Sequence, residues 1–231
     1  KMMDEMRAKG ITANTITYSA AISVCEKAGQ WERALKLLES MKSRNVAPNT
    51  ITYSAVISAC AKHGQWQHAL AVINEMKAKR VPANTITYSA AVRACEKGWQ
   101  WQHALEVMEE MKNKNIPAST VTYNSAIVAC ERAGKWKHVL DVLEEMKSKA
   151  IPFDVVTCNA GVTACEKTGR WQQALHLLEY MYSRGMSIQV DTCNSVIRVC
   201  TKEGHIEWAL SVLAMMKAKG IPANVATYVA A

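Results

Sequence analysis

The chain repeats itself every 35 residues. Tyr18, Tyr53, Tyr88, Tyr123 and Tyr228 fall on one 35-residue grid, and Cys158 and Cys193 occupy the two intervening points. Trp31, Trp66, Trp101, Trp136 and Trp171 keep the same step, as do Cys25, Cys60, Cys95, Cys130, Cys165 and Cys200, and Met6, Met41, Met76, Met111, Met146, Met181 and Met216. A fixed period in the range of roughly 20–50 residues means that each copy is one supersecondary unit too small to bury its own apolar face, so neighbouring copies have to stack. Counted from Thr15, the units are 15–49, 50–84, 85–119, 120–154, 155–189 and 190–224. Residues 1–14 read as the end of a preceding unit and 225–231 as the start of a seventh. The expectation is a single continuous repeat domain and, because neither end carries a polar capping unit, a piece of a longer array.

Inside one unit the apolar spacing is helical. Tyr18, Ala21, Ile22 and Cys25 stand at i, i+3, i+4 and i+7, and Trp31, Ala34, Leu35, Leu38 and Met41 begin a second such stripe. Gly29 lies between the two stripes, where a helix end favours positive φ, and recurs as Gly64, Gly134, Gly169 and Gly204. The second stripe ends in lysines such as Lys42 and Lys77, suited to the negative end of a helix dipole, and is closed by Pro48, Pro82, Pro117, Pro152 or Pro222. Each unit is therefore a helical hairpin. The predicted fold is all-α, a right-handed α-solenoid of stacked helix-turn-helix repeats with first helices inside and second helices outside.

Composition follows from the copying: seven Trp, seven Tyr, twelve Met and eight Cys stand against a single Phe. An apolar fraction of 49% suffices for a packed core. The net charge of +8, from 28 basic and 20 acidic residues, is basic, but a charged fraction of 21% excludes a disordered polycation. No uninterrupted apolar run exceeds five residues, Val212–Met216 being one, so no transmembrane helix is expected. Lys1 opens no charged-then-apolar leader, and the expectation is that this segment carries no signal or transit peptide.

The string Thr15-Ile16-Thr17-Tyr18-Ser19, followed by Cys25-x-Lys27-x-Gly29-x-Trp31-x-x-Ala34-Leu35, Met41-Lys42 and Pro48-Asn49, resembles the pentatricopeptide repeat. Six in-phase copies carry the resemblance over nearly the whole chain. The tetratricopeptide repeat is the competitor at a similar period, but it expects about 34 residues and a Trp-x-x-Leu-Gly-x-x-Tyr signature in its first helix. In this chain the Trp opens the second stripe. Members of the pentatricopeptide family are mostly organellar RNA-binding proteins in which one repeat reads one base of a single strand.

The resemblance implies that the fifth and last residues of a repeat specify the base, the second sandwiches it, and a basic residue near the end of the first helix meets phosphate. The base-specifying pairs are then Ser19 with Asn49, Ser54 with Asn84, Ser89 with Ser119, Asn124 with Asp154, Asn159 with Gln189, and Asn194 with Asn224. The family's usual correspondence suggests adenine for the first three, uracil for the fourth and a pyrimidine for the sixth, while the fifth pair is not a common one. The sandwiching residues are Ile16, Ile51, Ile86, Val121 and Val156, and the sixth repeat departs from the pattern with Asp191. Repeats five and six depart again where Tyr becomes Cys158 and Cys193, and Gly161 lowers helix propensity in the fifth. The phosphate residues are Lys27, Lys62, Lys97, Arg132, Lys167 and Lys202.

Read without the family, Ser19, Ser23 and Lys27 are four apart and form a polar stripe about 40° per step around the helix, opposite the Tyr/Ile/Cys face. Stacking would turn its basic member into a positive ladder, the footprint a phosphate backbone needs. Two plainer readings stand beside this. Basic residues also favour the last turn of any helix, and Ser and Asn are preferred N-terminal caps. Glu26, Glu96, Glu131 and Glu166 adjoin several of the cations and dilute their field.

Other residue types that suggest chemistry are placed badly for it. Six cysteines stand one repeat apart on an apolar face, so neighbours should lie about 10 Å apart, beyond disulfide reach, and no C-x-x-C seeds a zinc site. They read as small buried apolar residues in a reducing compartment. His68, His103 and His138 form a ladder with the same step and read as a solvated face. There is no H-x-E with P-C-x-x-C and no Gly-rich phosphate loop. The expectation is a non-enzymatic protein with no cofactor, no metal and no small-molecule substrate. Two functions remain open: a sequence-selective binder of single-stranded RNA in a mitochondrion or plastid, or a scaffold for protein subunits of an organellar ribosome or membrane complex.

Overall fold

The computed structural model describes residues 12–230; the readings placed on residues 1–11 and on Ala231 lie outside them. Thirteen helices and no strand occur among the described residues. The first helices of successive repeats are α1 (Thr15–Lys27), α3 (Thr50–Lys62), α5 (Thr85–Lys97), α7 (Thr120–Arg132), α9 (Val155–Thr168), α11 (Val190–Lys202) and the short α13 (Val225–Ala230). The second helices are α2 (Trp31–Ser43), α4 (Trp66–Ala78), α6 (Trp101–Asn113), α8 (Trp136–Ser148), α10 (Trp171–Ser183) and α12 (Ile206–Ala218). The helices group into two compact units, Lys1–Ala129 and Cys130–Ala231, with the division inside α7.

Most first-helix starts and the ends of both helices have a local cause. Asn14, Asn49, Asn84 and Asp154 are extended N-cap residues whose side-chain oxygen accepts the amide of the third helical residue, and at Asn49, Asn84 and Asp154 the Thr at that position closes a capping box. The first helix ends at a left-handed residue, Gly29 (φ 68°), Gly64, Gly134, Gly169 or Gly204. In the third repeat that role passes to Trp99 (φ 60°). Gly98 precedes it because a Cβ there would meet the Trp66 ring at 2.3 Å. Second helices end in a Schellman pair: Asn45 N–H donates to Lys42 O and Val46 N–H to Met41 O (2.9 and 3.0 Å). Its left-handed residue is Asn45, Arg80, Asn115, Ala150, Gly185 or Gly220 in successive repeats.

Within the first unit α1, α3 and α5 pack side by side, and α2 and α4 each pack on their own first helix and on the next one. Within the second unit α9, α11 and α13 form the corresponding layer, backed by α8, α10 and α12. The core between layers holds the residues of the helical stripes. Tyr18, Ile22, Cys25, Ala34, Leu38 and Met41 are buried, and their equivalents at Tyr53, Ile57, Cys60, Ala69 and Met76 are fully so. All eight cysteines are free and buried.

Polar links tie each repeat of the first unit to itself and to the next. Thr15, Thr50 and Thr85 donate to the carbonyls of Ala47, Pro82 and Pro117 at the far end of their own repeat. Tyr53 and Tyr88 donate to Glu75 and Glu110, which also receive Lys42 and Lys77 from the preceding repeat. The lysines that close second helices are thus ion-paired across the repeat junction. Repeats five and six replace these partners together: Val155 and Val190 stand for Thr, Cys158 and Cys193 for Tyr, and Tyr180 and Met215 for Glu. The second unit adds ring contacts, Phe153 with Tyr180 (5.5 Å) and Trp171 with both His205 (3.9 Å) and Trp208 (6.3 Å) of the next repeat.

The histidine ladder lies on the surface, with His68 and His138 exposed, and it also makes ring contacts: His68 tilts against Trp31 and His103 stacks on Trp66 of the preceding repeat (5.1 and 4.9 Å).

Candidate nucleic-acid interface

Positions two, five, nine and thirteen of a first helix fall within about 80° of its circumference, away from the Tyr/Ile/Cys face. The side chains there differ in burial. Ile16, Ile51, Ile86, Val121 and Val156 are exposed, at 77, 65, 64, 53 and 49%. An aliphatic group left so open at the first turn of five helices contributes nothing to the core, and a flat apolar partner is what such a group can pack on. Asp191 is exposed at the same place in repeat six.

The polar pairs beside this row are tied together by a residue that the sequence reading passed over, the threonine third in each repeat. Thr52 is fully buried, with Oγ1 2.7 Å from Ser19 Oγ and 2.9 Å from Asn49 Oδ1. Thr87 repeats this with Ser54 (2.7 Å) and Asn84 (3.0 Å). Thr122 lies 2.6 Å from Ser89 and 3.1 Å from Ser119. The fifth and last residues of one repeat therefore meet on the first helix of the next. The Thr at every 35th place, before the grid Tyr or Cys, is visible in the sequence, but nothing there distinguishes it from an ordinary helix residue.

Asn49, Asn84, Ser119, Asp154 and Asn224 all direct a side-chain oxygen to the threonine three residues on, so the capping reading holds for the last residue of these repeats. Gln189 makes no cap bond. In the fifth repeat Thr192 donates to Asn159 Oδ1 (2.9 Å). In the sixth, Asn194 is buried, donates to Asn224 Oδ1 (3.3 Å) and leaves its own Oδ1 without a partner. In the fourth repeat the Asp154 carboxylate accepts both the amide and the hydroxyl of Thr157 (2.9 Å each).

The six cations are all exposed. Lys62 donates to the Glu26 carbonyl (2.6 Å) and Lys97 to the Lys62 carbonyl (3.0 Å), so each covers the C-terminal end of the preceding first helix. An ammonium has three donors, and this bond uses one. Of the acidic neighbours, Glu166 is held in a two-bond pair with Arg198 (2.9 and 3.0 Å). Burial opposes its ionisation, yet the Arg198 hydrogen bonds prevail and lower its pKa.

The cysteines offer no reactive thiol. Burial pushes Cys95, Cys130, Cys158 and Cys165 up to about 12, and Cys60 and Cys193 to about 11. No group of three or more His, Cys, Asp or Glu suited to a metal occurs among the described residues, and no helix there is long and apolar enough to cross a membrane.

A family model described as "Pentatricopeptide repeat-containing protein" matches residues 51–181, more than half of the chain. The chain belongs to the pentatricopeptide repeat (PPR) family. A second model, "PPR repeat family", matches residues 13–62 and 188–230 of this PPR chain. Among solved structures, the PPR protein PPR10 from maize is 29% identical, with 94% of this chain and 31% of PPR10 covered and a TM-score of 0.65. PPR10 in complex with an 18-nt psaJ RNA element is 26% identical over 96% of this chain and 36% of that one, with a TM-score of 0.59. The chain thus spans about a third of PPR10. The PPR domain of Arabidopsis thaliana protein-only RNase P 1, solved with tRNA, shares the fold at 14% identity and a TM-score of 0.74, covering 82% of this chain and all of that one. No curated protein matches.

Proposed function

We propose that this PPR chain binds single-stranded RNA sequence-selectively, about one base per repeat, in a mitochondrion or plastid, and acts in RNA stability, processing or translation by occupying a short site. The observation that carries the reading is the recurrence, beside the first helices of repeats one to five, of an exposed aliphatic side chain, a polar pair and an exposed cation. Those are the three parts of a nucleotide to be met: base face, base edge and phosphate. The RNA complex of PPR10, at 26% identity, supports the same assignment. Eight buried free thiols suit a reducing interior. The first four repeats carry the complete set, while Asp191 and the buried Asn194 leave the sixth the poorest reader.

A protein-binding scaffold is the second reading, supported by the exposed Tyr182, Trp208 and Leu210 on second helices of the C-terminal unit. Filter binding of single-stranded oligonucleotides across a salt series separates the two. RNA binding through the cations gives a log–log slope of about −0.7 per phosphate contact, and Lys62→Gln with Lys97→Gln flattens it by about 1.4 without altering base preference. An unchanged slope would reduce the cations to helix ends. Absence of RNA binding by the folded chain would leave the scaffold.

A further inference from the structure

The buried threonines fix more than the position of the base-reading pair. A Thr hydroxyl has one proton and two lone pairs. At Thr52 the proton goes to Asn49 Oδ1, because that oxygen, which also accepts the Thr52 amide, cannot donate (2.9 Å for each bond). One lone pair of Thr52 Oγ1 receives the Asn49 amide (3.3 Å). The remaining contact, Ser19 Oγ at 2.7 Å, can then only be a bond in which Ser19 donates. Ser19, itself largely buried, has spent its proton and has only lone pairs left to offer a base. Asn49 has spent its carbonyl oxygen and turns its NH2 outward. The same accounting holds for Ser54, Thr87 and Asn84, with distances of 2.7, 3.0 and 3.3 Å.

Resting on the RNA reading above, we infer that the third residue of each repeat sets the hydrogen-bonding polarity of the base-reading pair in the repeat before it, making Thr52 and Thr87 specificity-determining positioning residues for repeats one and two. A pair locked as acceptor plus donor fits adenine, which offers an N6 amino donor and an N1 acceptor. It opposes guanine, which presents O6 and N1–H at the same two places with both signs reversed. Without the threonine hydroxyl, Ser19 can donate to guanine O6, so one of the two opposed contacts is relieved while the backbone amide of residue 52 still holds Asn49 Oδ1.

The array contains its own contrasts. At repeat three Thr122 joins two hydroxyls, Ser89 and Ser119, and such a chain can reverse all its donors together. At repeat five Thr192 sends its proton to Asn159 Oδ1, so Asn159 shows an NH2 where Ser19 shows lone pairs. Polarity is thus fixed as acceptor-first in repeats one and two, reversible in repeat three and donor-first in repeat five.

The test uses the whole chain and oligonucleotides with an adenine-adenine-adenine-uracil core followed by pyrimidines, made in both strand directions, with adenine or guanine at the base facing repeat one or repeat two. Wild type prefers adenine at both by about tenfold or more. Thr52→Val brings adenine and guanine within about threefold at the first base alone, Thr87→Val does so at the second alone, and Thr52→Ser behaves as wild type. A structural defect would lower affinity for every oligonucleotide equally, and circular dichroism melting establishes that each variant is folded. The inference is overturned if Thr52→Val keeps the wild-type preference while Asn49→Ala loses it, or if the loss falls on all bases alike. If wild type distinguishes no base at either place, the RNA reading itself fails and this one falls with it.

Discussion

Glu110 is the clearest place to test how the first unit is held together. Its carboxylate receives Tyr88 Oη at 2.8 Å, Lys114 Nζ at 2.9 Å and Lys77 Nζ from the preceding repeat. Burial by itself would raise this carboxyl; the hydrogen bonds from Lys114, Lys77 and Tyr88 outweigh it and bring the pKa down from 4.5 to about 2. A shift of that size corresponds to about 3 kcal/mol of pH-linked stability if undiluted. The side chain is 30% exposed, so solvent screening brings the figure to about 1–2 kcal/mol. Glu110→Gln, which keeps the shape and removes the charge, should therefore cost about 1–2 kcal/mol at pH 7.

The sign of the pH dependence follows from the direction of the shift. A depressed carboxylate stabilises above its unfolded pKa, so the difference between wild type and Glu110→Gln is full above about pH 5 and shrinks as pH falls from there toward 2. Urea unfolding followed by circular dichroism, with unchanged m-values as the condition for comparison, reads both quantities. Glu109→Gln is the matched control: it adjoins Glu110, is 59% exposed and meets Lys112 at only 3.5 Å, so its removal should cost close to nothing. Equal costs for the two variants, or a Glu110→Gln deficit that persists undiminished at pH 2.5, would refute the idea that this carboxylate is a junction between repeats.

Arg80→Gly and Ala150→Gly should each stabilise the array by about 1 kcal/mol, since both residues occupy left-handed backbone (φ 56° and 53°) where Gly185 and Gly220 stand in later repeats; a urea midpoint unchanged or lowered in both would contradict this. Tyr53→Phe should lower stability by about 1 kcal/mol through the lost bond to Glu75, whereas Tyr228→Phe, on an exposed ring, should leave it unchanged in the same assay. A thiol reagent at pH 8 should leave the folded chain unmodified and titrate all eight cysteines after denaturation, because burial holds most of these thiols at about 11–12; rapid reaction of the native chain would contradict their burial.

The hairpins were legible because their cause is local. Tyr18, Ala21, Ile22 and Cys25 define a face by spacing alone, and the left-handed turn at Gly29 needs only its own chemistry. What escaped was the stagger between neighbours. His68 resembles any exposed histidine until Trp31 of the previous repeat is brought to 5.1 Å, a distance the period does not give. Gly161 reads as lost helix propensity, but a Cβ there would meet Leu143 and Leu177 methyl carbons at 2.8 Å, so the position is filled from outside. At Trp99 the pattern of glycines broke because the close approach of Trp66 moved the glycine one place earlier. In the site, capping and base reading had been set against each other for Asn49 and Asn84. The geometry lets one end of each amide cap while the other stays outward.

The Ser19–Thr52–Asn49 bonds also bear on how such arrays can be cut and joined. A hairpin excised as 15–49 carries both members of its polar pair but leaves behind the hydroxyl that joins them. An exchange made there hands each incoming pair to a foreign threonine, and where the recipient has another residue at that place the junction is lost. A segment taken from Ser19 through Tyr53 keeps the pair of Ser19 and Asn49 and its buried hinge Thr52 on one piece of chain. Recombination between repeats therefore preserves the pairs best when its breakpoints fall after the fourth residue of the first helix, inside a helix, and not in the loops where segments are ordinarily joined.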